Sequence, residues 1–229
     1  MSKHDEYLKG EENLQDVENA LTKTELFLEK NQKTISIVVG IAIAVVVIFL
    51  ATNKFYLKPQ EKEAVEQMFV AEQYFEKDSF NLALNGDGDN LGFLDIIDEY
   101  GITKAANTAN YYAGVSYLRL GQFEEAIEYL SNFNSDDLIL APIAKGAQGD
   151  AYLELGDNEK ALDLYIDAAE MSANKLTTPI YLLKAGKLAE QMGNFAKALE
   201  LYESIKNDYP NTNEGYQIDK YIARINVVK

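Results

Sequence analysis

One pattern of residues occurs three times in this chain and constrains its fold more than any other feature. Each copy has a Gly, a Tyr or Ala three residues later, a second Gly after four more, an Ala five further on, and a bulky residue after another four. Successive copies begin 35 and then 37 residues apart. This period is typical of solenoids built from helix–turn–helix pairs, which offer a binding surface and seldom a reaction centre. The recurring positions are Gly114, Tyr117, Gly121, Ala126 and Leu130, then Gly149, Tyr152, Gly156, Ala161 and Tyr165, then Gly186, Ala189, Gly193, Ala198 and Tyr202.

The small residues of the pattern predict both the turns and the closest helix contacts. We expect the second Gly of each copy to occupy the turn between paired helices, where a positive φ is needed. The first Gly and the Ala should lie where the two helices of a pair approach each other. Pro142 and Pro179 are predicted at the first helical position of the second and third copies, where a missing N–H is tolerated.

A separate feature is the run of 20 uncharged, mostly apolar residues at 34–53. A helix of this length spans about 30 Å, the thickness of the hydrocarbon layer of a bilayer. Lys33 precedes the run, and Lys54, Tyr56 and Lys58 follow it as interfacial residues do. A signal peptide has a shorter apolar region and a short basic start, whereas a polar segment of 33 residues precedes this run. We therefore predict a retained transmembrane helix in contact with the lipid bilayer.

The orientation of this helix is not decided by charge. Each side of the span has three lysines within about 20 residues, so the positive-inside rule gives a tie. Long C-terminal domains are translocated largely regardless of charge. The expectation is a single-pass protein with a cytoplasmic N-terminus and the repeats on the other side of the membrane.

The net charge of −16 excludes several functions. Most of the acidic excess lies beyond the span, and an acidic surface repels the phosphates of nucleic acids, so no nucleic-acid partner is expected. The chain has no Cys and only one His, His4, so thiol chemistry, Cys/His zinc sites and His-dependent triads are not available. In the acidic loop 85–90, the calcium-loop spacing fails because Asn90 and Ile96 stand where Gly and Glu are required. We predict no enzyme activity, no cofactor and no metal site.

The chain divides into five predicted parts. Leu14, Val17 and Leu21 give residues 12–33 a helical apolar stripe, which could pair with another helix or lie on the membrane. The parts are an acidic N-terminal tail with an amphipathic helix at 1–33, the transmembrane helix at 34–53, a linker helix and degenerate first repeat at 54–105, three repeats at 106–210, and a C-terminal capping helix at 211–229.

The repeats resemble the tetratricopeptide repeat family. The resemblance covers about residues 106–210 and rests on the Tyr, Gly and Ala positions above, with Phe123, Phe195 and the closing Pro210. The early Trp of the family is replaced, for example by Asn110 and Lys145. The resemblance implies an all-α solenoid of helix pairs that binds other proteins.

The order of the parts is also similar to one group within this family. A short acidic tail, one span and an acidic repeat domain resemble the YfgM-like ancillary subunits of the bacterial SecYEG translocon. This resemblance implies a protein of the bacterial inner membrane whose repeats lie in the periplasm. It also implies three kinds of partner: SecYEG subunits, a PpiD-like membrane-anchored chaperone, and secretory or membrane protein chains. A cell-envelope assembly scaffold unrelated to the translocon is the alternative.

In this family the first helix of each pair lines a concave groove, chiefly through its positions 2, 5, 9 and 12. Seven of the twelve corresponding residues are aliphatic or aromatic, which suits an apolar or amphipathic peptide and not a carboxylate clamp. The alternative is that the helix at 61–77 or the capping helix fills the groove. The candidate residues are Thr108, Tyr111, Val115 and Leu118, then Ile143, Gly146, Asp150 and Leu153, then Ile180, Leu183, Lys187 and Glu190.

Overall fold

The computed structural model describes the backbone of residues 3–228 and the side chains of residue 22 and residues 25–227. All regular elements in this part of the chain are helices, which confirms the all-α prediction. The chain divides after Lys58 into two units.

The first unit contains the apolar run within one long helix. Helix α1 is Lys3–Thr52, and a short π-helix, Asn53–Leu57, follows it. The apolar side chains of the run are exposed, with Ile48 at 64% and Phe49 at 65%. This helix is the one helix of the described residues that is long and apolar enough to cross a membrane, which is compatible with single-pass anchoring. The stripe predicted at Leu14, Val17 and Leu21 lies outside the side chains that the structure describes.

The second unit is a series of helices that pack as neighbouring pairs. Pairs α5/α6, α7/α8 and α9/α10 correspond to the three copies of the pattern, and each second helix also packs on the first helix of the next pair. The arrangement confirms the solenoid. The helices are α2 Lys58–Glu76, α3 Phe80–Asn85, α4 Phe93–Glu99, α5 Lys104–Leu120, α6 Phe123–Asn132, α7 Leu140–Glu154, α8 Asn158–Glu170, α9 Thr178–Gln191, α10 Phe195–Asp208 and α11 Ile218–Val228.

The predicted contact and turn positions are confirmed. A Cβ on Gly149 would lie 2.8 Å from Cε1 of Tyr165, so the two helices of that pair approach as closely as they do only because Gly has no side chain. Ala161, on the facing helix, is completely buried. The turn glycine Gly156 has φ +82°, and its N–H donates to the carbonyl of Leu153, which closes α7.

The helix start predicted at Pro142 is wrong by two residues. Helix α7 begins at Leu140, so Pro142 is its third residue. The Asp137 carboxylate accepts hydrogen bonds from the N–H groups of Ile139 and Leu140 at 2.9 and 2.7 Å, and this favours the earlier start. Pro142 still falls within the first turn, where N–H groups have no partner inside the helix.

A degenerate helix pair precedes the three regular ones. Its first helix is α2, whose Ala64, Met68 and Ala71 are buried. Its second helix is broken into α3 and α4 by the loop at 85–90. Within this loop, the Asp87 carboxylate accepts hydrogen bonds from the Tyr74 hydroxyl and from the backbone N–H of Asn90. The carboxylate that the sequence offered as a calcium ligand is therefore engaged in closing the turn.

Helix α11 covers the exposed side of the last pair, α9/α10. Ile218 and Ile225 on its inner face are buried in the same core as Leu188, Leu201 and other residues of α9 and α10. Its opposite face is exposed, as it is at Val227. This two-sided character is what the end of a solenoid requires.

Gly186→Ala should destabilise the repeat unit by about 1–3 kcal/mol, the range for overpacking a filled core. A Cβ at this position would lie 2.4 Å from Cε1 of Tyr202, which is completely buried. The measurement is the thermal unfolding of the full chain in detergent. Gly40→Ala is the matched control because a Cβ there meets no atom within 4 Å. Equal melting of Gly186→Ala and wild type would contradict the packing described here.

Candidate partner-binding groove

The first helices of successive pairs lie side by side, as two contacts between α7 and α9 show. The ring of Tyr181 on α9 covers Gly146 on α7, where a Cβ would lie 2.0 Å from the ring. One turn further along, Lys184 of α9 binds Asp150 of α7. These contacts align the first helices side by side, and their remaining faces form the candidate groove.

The apolar floor of the groove is clearest on α5. Tyr111, Val115 and Leu118 pack against a buried cluster of Leu130, Ala144 and Ala147 and remain partly exposed. Phe133, which follows α6, extends this floor, and its ring centroid lies 5.5 Å from that of Tyr111. Burial raises the pKa of the Tyr111 hydroxyl above its ordinary value of 10.0, so this residue contributes a neutral ring to the surface.

The other apolar candidates also keep part of their surface. Leu153 and Leu183 are half-buried against the core of the second and third pairs, and Ile180 is 38% exposed. Ile143 is half-buried on α7. Thr108 lies with Phe133 at a depression of about 380 Å³ near the start of α5.

Asp150 is held by groups of its own chain. Its carboxylate accepts a hydrogen bond of 2.6 Å from the Tyr165 hydroxyl and bonds of 2.6 and 2.8 Å from Nζ of Lys184. Lys184 lies over the Tyr165 and Tyr181 rings, at 5.3 and 5.8 Å from their centroids. Burial is the main cause that raises the pKa of the Tyr165 hydroxyl, and the hydrogen bond to Asp150 adds to it. Asp150 thus ties α7, α8 and α9 together at the surface of the groove.

Lys187 and Glu190 contact the capping helix. Nζ of Lys187 lies 5.3 Å from the centroid of the Tyr221 ring. The Glu190 carboxylate accepts hydrogen bonds from Nη2 of Arg224 at 2.6 Å and from the Tyr202 hydroxyl at 3.0 Å. The hydrogen bond from Arg224 is the main cause that lowers the pKa of Glu190.

The two helices that could fill the groove lie at its ends. Helix α11 contacts the groove positions of the third pair, Lys187 and Glu190. Helix α2 packs through its buried face in the same core as Phe93 of α4 and Ala109 of α5. Tyr111 and the other apolar candidates between these ends remain partly exposed.

Several side chains at the groove were not among the sequence candidates. Tyr112 and Lys184 occupy position six of α5 and α9, and Phe133 follows a second helix. Lys184 binds Asp150 at position nine of α7, and the ring centroid of Tyr112 lies 5.0 Å from that of Phe75 on α2. Tyr221 and Arg224 belong to the capping helix. Position six recurs at the spacing of the repeats, so Tyr112 and Lys184 could have been located from the sequence. The docking of the capping helix lies outside the repeat period and could not.

Comparison with known proteins supports the repeat assignment. A family model described as tetratricopeptide repeat matches residues 108–136 and 181–212. Two crystal structures of nearly identical TPR-like repeats of a Podosopora anserina kinesin light chain, one with a single substitution, are similar in fold. They have TM-scores of 0.54 and 0.55 at 14% sequence identity, and the match covers 72% of this chain and 85% and 86% of theirs. No curated protein matches the sequence. Residues 108–136 and 181–212 thus match the tetratricopeptide repeat model, and the helices fold as a TPR-like solenoid.

Glu190→Gln should make the repeat unit less sensitive to acid. A carboxyl group whose pKa is lowered by folding stabilises the fold above its ordinary pKa of 4.5, and this contribution is lost as the pH falls through the lowered value. Because Arg224 is 52% exposed, we expect an effect of only about 0.5–1 kcal/mol at pH 7. The melting temperature of wild type should therefore fall more steeply than that of the variant between about pH 5 and pH 3.

The control for this titration is Glu124→Gln on α6, an exposed carboxylate with no ion pair among the described side chains. Parallel acid profiles of wild type and Glu190→Gln would contradict the assigned role of the Glu190–Arg224 pair.

Proposed function

We propose that this chain is a membrane-anchored interaction protein whose groove binds an apolar or amphipathic segment of another protein. The observation that carries the proposal is the partly exposed floor formed by Tyr111, Val115 and Leu118 on α5 and by Phe133 beside it. An apolar floor on a rigid row of helices suits a peptide laid along it. Exposed apolar surface of this kind commonly marks a site of interaction.

The proposed site comprises the sequence candidates, with different roles for its members. The apolar residues of α5, α7 and α9 supply the contact surface. Asp150 fixes the spacing of the helices through Lys184, and Lys187 and Glu190 belong to the end where α11 docks. The partner would therefore gain most from the first two pairs and from Leu183 of the third.

The anchor of the proposed protein is the apolar stretch of α1. Its exposed side chains would be costly in water and are stable in a bilayer, because hydrocarbon favours apolar side chains and a helix satisfies its own backbone. We propose a single pass through the bacterial inner membrane with a cytoplasmic N-terminus and periplasmic repeats. The support for this orientation is the resemblance in architecture described above.

The proposed place of action is the Sec translocon, as an ancillary subunit. Chains that emerge from the SecYEG channel are unfolded and expose apolar segments, and the floor of the groove has the chemistry to hold such segments reversibly. A PpiD-like membrane-anchored chaperone would then receive them. This role requires binding only, in keeping with an acidic repeat surface on which Glu124 and Glu128 are solvated.

Replacing Leu118 and Leu183 together by Asp should weaken capture of the partner. Both side chains are half-buried in the groove, and two carboxylates there would have to be desolvated by an apolar ligand. The measurement is affinity purification of the full chain from membranes in mild detergent, with quantification of the copurifying proteins. We expect at least a fivefold loss, which corresponds to about 1 kcal/mol.

The matched control is the Leu138→Asp, Leu176→Asp variant, which adds the same charge at side chains that are 66% and 60% exposed outside the groove. Copurification of SecYEG subunits and a PpiD-like chaperone with wild type and control supports the translocon proposal. Recovery of division or envelope-assembly proteins instead supports the scaffold alternative. Equal loss in both variants, at unchanged melting temperature, would reject the groove as the binding site.

A further inference from the structure

The α11 end of the groove gathers cations around one aromatic ring. Nζ of Lys187, Nζ of Lys220 and Cζ of Arg224 lie 5.3, 4.9 and 5.1 Å from the centroid of the Tyr221 ring. Arg224 is paired with Glu190. Lys187 and Lys220 form no ion pair with any carboxylate in the described part of the chain, although Lys220 donates a hydrogen bond to Gln217. Two uncompensated positive charges therefore remain at this end.

An opening beside these cations can hold a side chain. It has a volume of about 430 Å³ and is lined by Lys187, Glu190, Gln191, Phe195 and Arg224. Like charges gathered on one ring repel one another, and a carboxylate placed between them would remove that repulsion. The net charge of the chain is −16. It does not cancel this attraction, because at physiological salt the repulsion from acidic groups more than about 8 Å away is largely screened.

The opposite end of the groove, at α2, carries negative charge that no described cation pairs with. Glu72 occupies on α2 the position that Lys187 occupies on α9. It lies one turn before Phe75, whose ring centroid is 5.0 Å from that of Tyr112 on α5. The pKa of Glu72 is raised by burial and by the nearby Glu76. The pKa of the Tyr112 hydroxyl is raised mainly by burial, and the charges of Glu72 and Glu76 add to this effect. Neither Glu72 nor Glu76 forms an ion pair with a described side chain. A cation at this end would relieve the repulsion between them.

Between these two ends the surface carries little net charge. Val115 and its apolar neighbours follow Tyr112, and the Asp150–Lys184 pair is internally neutral. The row from α2 to α9 crosses three helix spacings of about 8–10 Å, or about 24–30 Å in all. At about 3.3 Å per residue, an extended peptide of eight or nine residues would cover this distance.

We propose that the groove accepts an extended apolar segment of about nine residues that has a basic side chain at the α2 end and an acidic group at the α9–α11 end. This inference rests on the proposed function and specifies the ligand of the same groove. Charge complementarity selects the ends of the segment, and the apolar floor supplies the contact between them. A uniformly basic or uniformly acidic segment satisfies only one end.

Four dye-labelled peptides test this proposal. All are nine residues long and have the same seven-residue Leu/Ser core, an acetylated N-terminus and an amidated C-terminus, and they differ only in the flanking residues: Lys and Glu, Lys and Gln, Gln and Glu, or Gln and Gln. Binding to the full chain in phosphatidylcholine nanodiscs is measured by fluorescence anisotropy at physiological salt, where the local charges of the groove act without the long-range field of the acidic chain. We expect the Lys/Glu peptide to bind at least about fivefold more tightly than the Gln/Gln peptide.

Two double variants separate the two ends. Lys187→Ala with Lys220→Ala should remove the advantage conferred by the Glu of the peptide and leave that conferred by the Lys. Glu72→Gln with Glu76→Gln should do the reverse. Lys160→Ala with Lys175→Ala, two exposed lysines outside the row, makes the same charge change as the first variant and should preserve both advantages.

The outcomes distinguish this inference from the proposed function. If all four peptides bind alike, and binding is lost in the Leu118→Asp, Leu183→Asp variant, the groove stands and the charge selection is rejected. An equal loss in the Lys160→Ala, Lys175→Ala control would assign the effect to overall charge and also reject it. If wild type binds none of the peptides, both the groove and its selectivity are overturned.

Discussion

The close approach of paired helices is the constraint on which the rest of this structure depends. A Cβ on Gly114, Gly149 or Gly186 would collide with the partner helix, and Ala126, Ala161 and Ala198 on the facing helices are completely buried. These contacts fix the distance within each pair. Neighbouring pairs then stack with their first helices side by side, as Gly146–Tyr181 and Asp150–Lys184 show for α7 and α9. The candidate groove is a consequence of this stacking, since one face of each first helix is on the same side.

The side chains at positions six and nine of the first helices change in chemistry from one end of the solenoid to the other. At α7 and α9 these positions face each other, as Asp150 and Lys184 show. On α2 they include the carboxylate of Glu72, on α5 Val115 is apolar, Asp150 and Lys184 form an ion pair, and Lys187 lies over the ring of Tyr221. The fold therefore supplies the geometry, and the residue types at these positions set the charge along the surface.

The sequence predicts those features that a period encodes. The turn at Gly156 and the contact of Gly149 with Tyr165 follow from spacing alone, because each repeat must solve the same packing problem. The start of α7 differs from the one that Pro142 predicts, because the side chain of Asp137 binds the N–H of Leu140 and favours an earlier start. The contacts of Glu190 with α11 could not be predicted, since they depend on how a helix outside the period docks.

The central claim is that the floor of the groove contacts another protein while the chain is anchored in its membrane. Site-specific photo-crosslinking tests it most directly, with the photoreactive residue at Val115 in the groove or at the exposed Asp163 on α8 as the control position. The account predicts a discrete crosslinked partner from position 115 and none from position 163. The absence of a crosslink from position 115, or the same products from both positions, would contradict it.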